Sequence, residues 1–151
     1  MKSLLFFIVV FLNTAGVAVG EERAVEFVKS VEEVEGYLTK MRQALPTASC
    51  SEAIFILNGY IDVLAKYKDN ENTLFYGKAF YGDKAVTLIR MAKVVEVEGS
   101  ATDARKYRAE AKAACEKAQW KSCDAETIER VVSAMNKELK IGCIEKGHVG
   151  T

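Results

Sequence analysis

Between Phe27 and Leu45 the apolar side chains Phe27, Val31, Val34, Leu38, Met41 and Leu45 step along the chain by four, three, four, three and four. That rhythm keeps one apolar stripe on one face of an α-helix, while Glu32, Glu33, Glu35, Lys40 and Arg42 fall mostly elsewhere. Pro46, the one proline, stops the helix. A second begins at once, since Ser49-Cys50-Ser51-Glu52 has the spacing of a capping box and Ile54, Leu57, Ile61 and Leu64 supply a stripe. The polar run Asp69-Asn70-Glu71-Asn72 ends it. A third segment carries Tyr81, Ala85, Leu88, Ala92 and Val95 at helical spacing and closes at Gly99-Ser100. Ser100 and Asp103 offer another capping signature. The fourth helix then presents a small-residue face of Ala104, Ala111, Ala114 and Ala118, with Tyr107 among them, which permits close helix approach. Asp124 is placed to cap a fifth helix with Glu126 and Glu129 near its start, the stripe Ile128, Val131, Val132, Met135 and Leu139, and Gly142 as C-terminal cap. β-branched residues recur at helical rather than alternating spacing. The expected fold is all-α, an up-and-down bundle of about five helices.

The first twenty residues read as a secretory leader: Lys2, an apolar run from Leu4 to Leu12, and small residues in Ala18-Val19-Gly20. Nine or so apolar residues are too few to span a bilayer. Taking 20 from 151 leaves a mature domain of 131 residues, 21–151, enough for one core and not for two. Because Lys2 is one of the 21 basic residues, the mature chain sets 20 basic against 21 acidic. That balance argues against nucleic acid as the main partner, which needs a concentrated positive field.

Cys50, Cys115, Cys123 and Cys143 all fall in the mature part. An even number in an exported chain reads as two disulfides, with three pairings open. In an up-and-down arrangement the start of the second helix and the end of the fifth share one end of the bundle. This favours Cys50–Cys143 and leaves Cys115–Cys123. The latter carries a condition: eight residues of unbroken helix separate Cα atoms by about 12 Å, beyond disulfide reach, so the fourth helix must end near Ala118.

Little in the sequence points to catalysis. The only histidine, His148, lies in a Gly-flanked stretch of the terminal segment 144–151, read as a flexible tail, and cannot be held beside a nucleophile. No CxxC, HExxH, GxGxxG or phosphate-binding loop occurs, so neither a metal nor a cofactor is expected, and the chain is read as non-enzymatic. Two stretches are candidate binding surfaces. In Phe75-Tyr76-Gly77 and Phe80-Tyr81-Gly82 the same triplet recurs after five residues, a helical rotation of roughly 500°, so the copies would point about 140° apart. Either the segment is partly unwound, or one aromatic pair is exposed, or both pack between neighbouring helices. The second candidate is the fourth helix, where Arg105, Arg108 and Lys112 share a face that could steer an acidic protein partner; such a face also serves simply to meet water.

The exported, helical, four-cysteine layout, with Cys50, Cys115, Cys123, Cys143 and the Ala-rich stretch from Ala113 to Cys123, resembles the anophensin/albicin group of salivary proteins from anopheline mosquitoes. The resemblance spans the mature domain coarsely and transfers no binding residue. It implies a secreted, extracellular inhibitor of host complement or contact activation that blocks assembly of a protease complex, such as the alternative-pathway convertase, by protein–protein contact. The alternative is a carrier of small hydrophobic ligands resembling an odorant-binding protein, its pocket lined by the aromatics of Phe75 to Tyr81. That family's CxxxC spacing is not met by Cys115, Cys123 and Cys143.

Overall fold

A computed structural model describes residues 17–135 and 139–147, which form six helices and no strand. They are α1 (Val17–Ala44), α2 (Cys50–Ala65), α3 (Lys78–Val97), α4 (Ala101–Lys117), α5 (Ala125–Met135) and α6 (Gly142–Gly147). The all-α, up-and-down bundle expected from the apolar periodicity is therefore the fold. The apolar run of the expected leader lies outside the described residues, as do His148 and the three residues after it. Among the described residues no helix is long and apolar enough to cross a membrane.

The bundle is organised around α3, which packs against α2, α4, α5 and α6. Nearly every residue from Ala85 to Val95 is buried, Lys93 excepted, so this helix has no water-facing side of the ordinary kind. One apolar stripe was the expectation for this segment; encirclement by four neighbours buries the rest. The α3–α4 contact uses the small-residue face as expected, with Ala104, Ala111, Ala114 and Ala118 all buried. α1 lies against α2, where the Tyr37 hydroxyl donates to the Ile56 carbonyl at 2.9 Å. Beyond the end of α2, Glu33 of α1 accepts from both Lys66 and Tyr67. Phe27, at the outer end of the α1 stripe, remains exposed because α2 does not reach that far.

The helix ends show which local signals were sufficient. Ser49 and Glu52 form the full capping box, the Glu52 carboxylate accepting from the Ser49 N–H at 2.8 Å. Asp124 caps α5, accepting from the Thr127 N–H at 2.7 Å. Ser100 does not cap: its hydroxyl donates to the Asp103 carboxylate at 2.6 Å instead of accepting from the backbone. α4 stops at Lys117, and Gln119 turns the chain with φ +59°, a left-handed conformation that costs a residue with a Cβ about 1–2 kcal/mol. That break meets the condition for the short bridge. Cys115 and Cys123 pair with Cα atoms 5.7 Å apart, and Cys50 pairs with Cys143 at 5.3 Å.

The C-terminal part differs from expectation. α5 ends at Met135, Leu139 is buried but outside any helix, and Gly142 opens α6 instead of closing α5. Residues 144–147, expected in the tail, are helical, and Ile144 packs partly against the core. The cause is a clamp at the α1–α2 corner. The Gly142 N–H donates to the Leu45 carbonyl at 2.9 Å, and the Gly142 Cα comes so near the Pro46 carbonyl that a Cβ would collide with it. The neighbouring Cys143 then reaches Cys50 at the first residue of α2.

Candidate functional site

α1 and α3 both adjoin α2 but leave an interval between themselves, and that interval is a cavity of about 250 Å³. α1 contributes Glu35, Leu38, Met41 and Arg42; α2 contributes Tyr60; α3 contributes Asp83 and Arg90. Phe75, from the connection between α2 and α3, with Met135 and Leu139 completes the lining. The walls are thus mostly hydrocarbon and aromatic, while two carboxylates, two guanidiniums and a phenol face the space.

Burial shapes the electrostatics. It pushes the Tyr60 hydroxyl far above the usual tyrosine range, and the nearby Asp83 carboxylate adds to that push while Arg90 opposes it. Burial likewise raises the Asp83 carboxyl, against the attraction of Arg90, and lowers the Arg90 guanidinium, against the pull of Tyr60 and Asp83. Tyr60, Asp83 and Arg90 therefore act on one another in a partly desolvated space, whereas Glu35 and Arg42 form a loose, exposed pair 4.0 Å apart. Charges held in a place poor in water favour a guest that can complement them, which makes this the described cavity with the clearest binding chemistry.

The aromatic repeat is resolved by unwinding. The chain is a series of turns up to Gly77, whose φ of +53° suits a residue without a Cβ, and α3 starts one residue later. As a result both phenylalanines point inward, Phe75 at 8% and Phe80 at 4% exposure. They offer a partner protein almost no surface, although Phe75 does wall the cavity. Tyr81 meets Phe80 edge-on, ring centroids 5.0 Å apart, and lies beneath the Lys117 ammonium at 5.2 Å. Tyr76, 49% exposed, is the ring of this segment open to solvent.

The basic face of α4 is also divided. Arg108 spans three helices, donating to Glu96 of α3 at 2.5 and 2.9 Å and lying 3.5 Å from Glu129 of α5. Its charge is committed to holding the bundle, and it keeps the Glu96 carboxyl below the usual range. Arg105 and Lys112 remain exposed.

Two features escaped the sequence reading. Arg90 is a lone cation inside the run from Ala85 to Met91, a pattern that marks a charge drawn into a core, but its convergence with Tyr60 and Asp83 depends on how α2 and α3 meet. Phe55, 79% exposed, is the second. It stands among Ser51, Glu52, Asn58 and Asp62 on the face of α2 opposite the buried Ala53, Leu57, Tyr60 and Leu64. An aromatic on the polar face of an amphipathic helix was the available signal. With Ala44, Thr47, Ala48, Glu52 and Ile56 it frames a shallow hollow at the clamped α1–α2 corner.

Among the described residues no group of three or more His, Cys, Asp or Glu is placed to hold a metal ion. Compared with protein-family models, curated proteins and solved structures, the chain matches none of them.

Proposed function

We propose that this is an exported protein that acts by binding an extracellular protein partner, without catalysing a reaction. The observation that carries the reading is the Phe55 ring, held out in water on a helix that is anchored to the rest of the bundle. Its helix begins at the Cys50–Cys143 bridge, is closed by the Ser49–Glu52 capping box and is tied to α1 through Tyr37. Large aromatic anchors on rigid supports contribute most to interfaces, because little conformational freedom is lost when they dock. Burying this ring would contribute about 2 kcal/mol. Two disulfides are compatible with an oxidising, extracellular setting. The layout resembling the anophensin/albicin group supports inhibition of host complement, at the alternative-pathway convertase, or of contact activation. The test is to add the mature protein to serum-mediated red-cell lysis and to surface-activated clotting. Inhibition of one of them at sub-micromolar concentration, weakened at least roughly ten-fold by Phe55→Ala with helicity unchanged, is expected. Activity in neither assay refutes the inhibitor reading.

A second reading is favoured by the cavity between α1 and α3: carriage of a small ligand. The volume of about 250 Å³ lies just under the roughly 300–1,000 Å³ of sites for drug-sized molecules, so the guest is small. Saturable binding measured by calorimetry tests this reading independently of any partner protein.

A further inference from the structure

The charges lining the cavity are balanced: Glu35 and Asp83 against Arg42 and Arg90 among the described residues. A guest with a single charge would enter a partly desolvated space whose described lining offers no net opposite charge, and would meet repulsion from one of each pair. A wholly apolar guest would cover the Asp83 carboxylate where it faces the cavity and offer it nothing in exchange for water. A guest carrying both signs on one small head meets both.

We infer that the cavity takes a small zwitterion with an aromatic or apolar body, of the size of an aromatic α-amino acid. Its ammonium lies toward Asp83 and the Tyr60 ring, its carboxylate toward Arg90, and its body against Leu38, Met41 and Phe75. The guanidinium has five N–H donors in a fixed fork, so Arg90 can serve a carboxylate in addition to the contacts it already makes. Tyr60 stays protonated over the whole working pH range, held there by its burial, and so adds no charge of its own to the balanced lining. The inference rests on the small-ligand reading above and narrows it to one chemical class.

Calorimetry on the mature protein at neutral pH, with L-phenylalanine, phenethylamine and 3-phenylpropionate as the three probes, tests it. Phenylalanine is expected to bind saturably and roughly ten-fold more tightly than either singly charged analogue. Met135→Trp, at an exposed position on the rim, should abolish that binding with an unchanged circular dichroism spectrum. Asp83→Asn should shift the preference toward 3-phenylpropionate. If none of the three probes binds, the small-ligand reading and the inference fail together. If a singly charged probe binds as tightly as phenylalanine or more tightly, the inference alone fails and the cavity remains a ligand site. Undiminished binding by Met135→Trp would place the guest elsewhere and overturn the assignment.

Discussion

Removing the two disulfides one at a time should cost this protein very different amounts of stability. A cross-link disfavours the unfolded chain by an amount that grows with the logarithm of the loop it closes. Cys50 and Cys143 are 93 residues apart in sequence, Cys115 and Cys123 only 8. The chain-entropy relation then assigns about 4.6 kcal/mol to the long bridge and about 2.5 kcal/mol to the short one. Against a net stability of about 5–15 kcal/mol for a domain of this kind, loss of the long bridge leaves a thin margin. Packing alone would rank them the other way: Cys115 is fully buried in the core and Cys143 slightly less so. The assay is urea unfolding followed by circular dichroism, comparing Cys50→Ser with Cys143→Ser in one double variant and Cys115→Ala with Cys123→Ala in another. The long-bridge variant should lose about 2 kcal/mol more and show a steeper denaturant dependence, because its unfolded chain exposes more surface. Equal losses, or the reverse order, would refute the loop-closure argument and assign the bridges' effect to native contacts.

Three further outcomes rest on named residues. Gly142→Ala should destabilise by about 1–3 kcal/mol in thermal melts, since its Cβ would collide with the Pro46 carbonyl. Gly36→Ala, in the interior of α1 with nothing near the added methyl, should stabilise by about 0.5–1 kcal/mol; stabilisation by both substitutions would show that the clamp at the corner is not tight. In acid, Asp124 matters: hydrogen bonds from Ser122 and Thr127 hold its carboxyl down to about 2, against an ordinary 3.8. A depressed carboxyl contributes stability that is present above the ordinary value and lost as pH falls through the folded one. Glu33 and Glu96 are shifted in the same direction, by Lys66 and Arg108 respectively. Melting temperature should therefore fall between about pH 4 and pH 2 more steeply in the wild type than in Asp124→Asn, which keeps a competent cap but cannot titrate. Parallel curves would count against it.

How much was legible varied with the range of the interaction that decides each feature. The helix periodicities, the Ser49–Glu52 box and the Asp124 cap depend on residues within one or two turns, and these were read from spacing alone. The disulfide pairing was reachable because up-and-down topology constrains which helix ends meet. The aromatic repeat could be posed but not solved: spacing showed that two copies cannot share a face of one helix, whereas the left-handed Gly77 decided that both phenylalanines turn inward. Arg108 looked like part of a basic surface because its partners, Glu96 and Glu129, sit on other helices.

By itself, then, the order of residues determined the helical class, the number of long helices and the main caps, because each follows from local periodicity, and it favoured the bridges through the up-and-down order of the helix ends. Only tertiary structure decided that α3 stands at the centre, that Gly142 clamps the α1–α2 corner, and that Tyr60, Asp83 and Arg90 converge on one cavity. The physical reason is distance along the chain. Burial on every side of a helix, a backbone contact between Gly142 and Leu45 and a balanced set of charges all arise where separate helices meet, and no window of neighbouring residues carries that information.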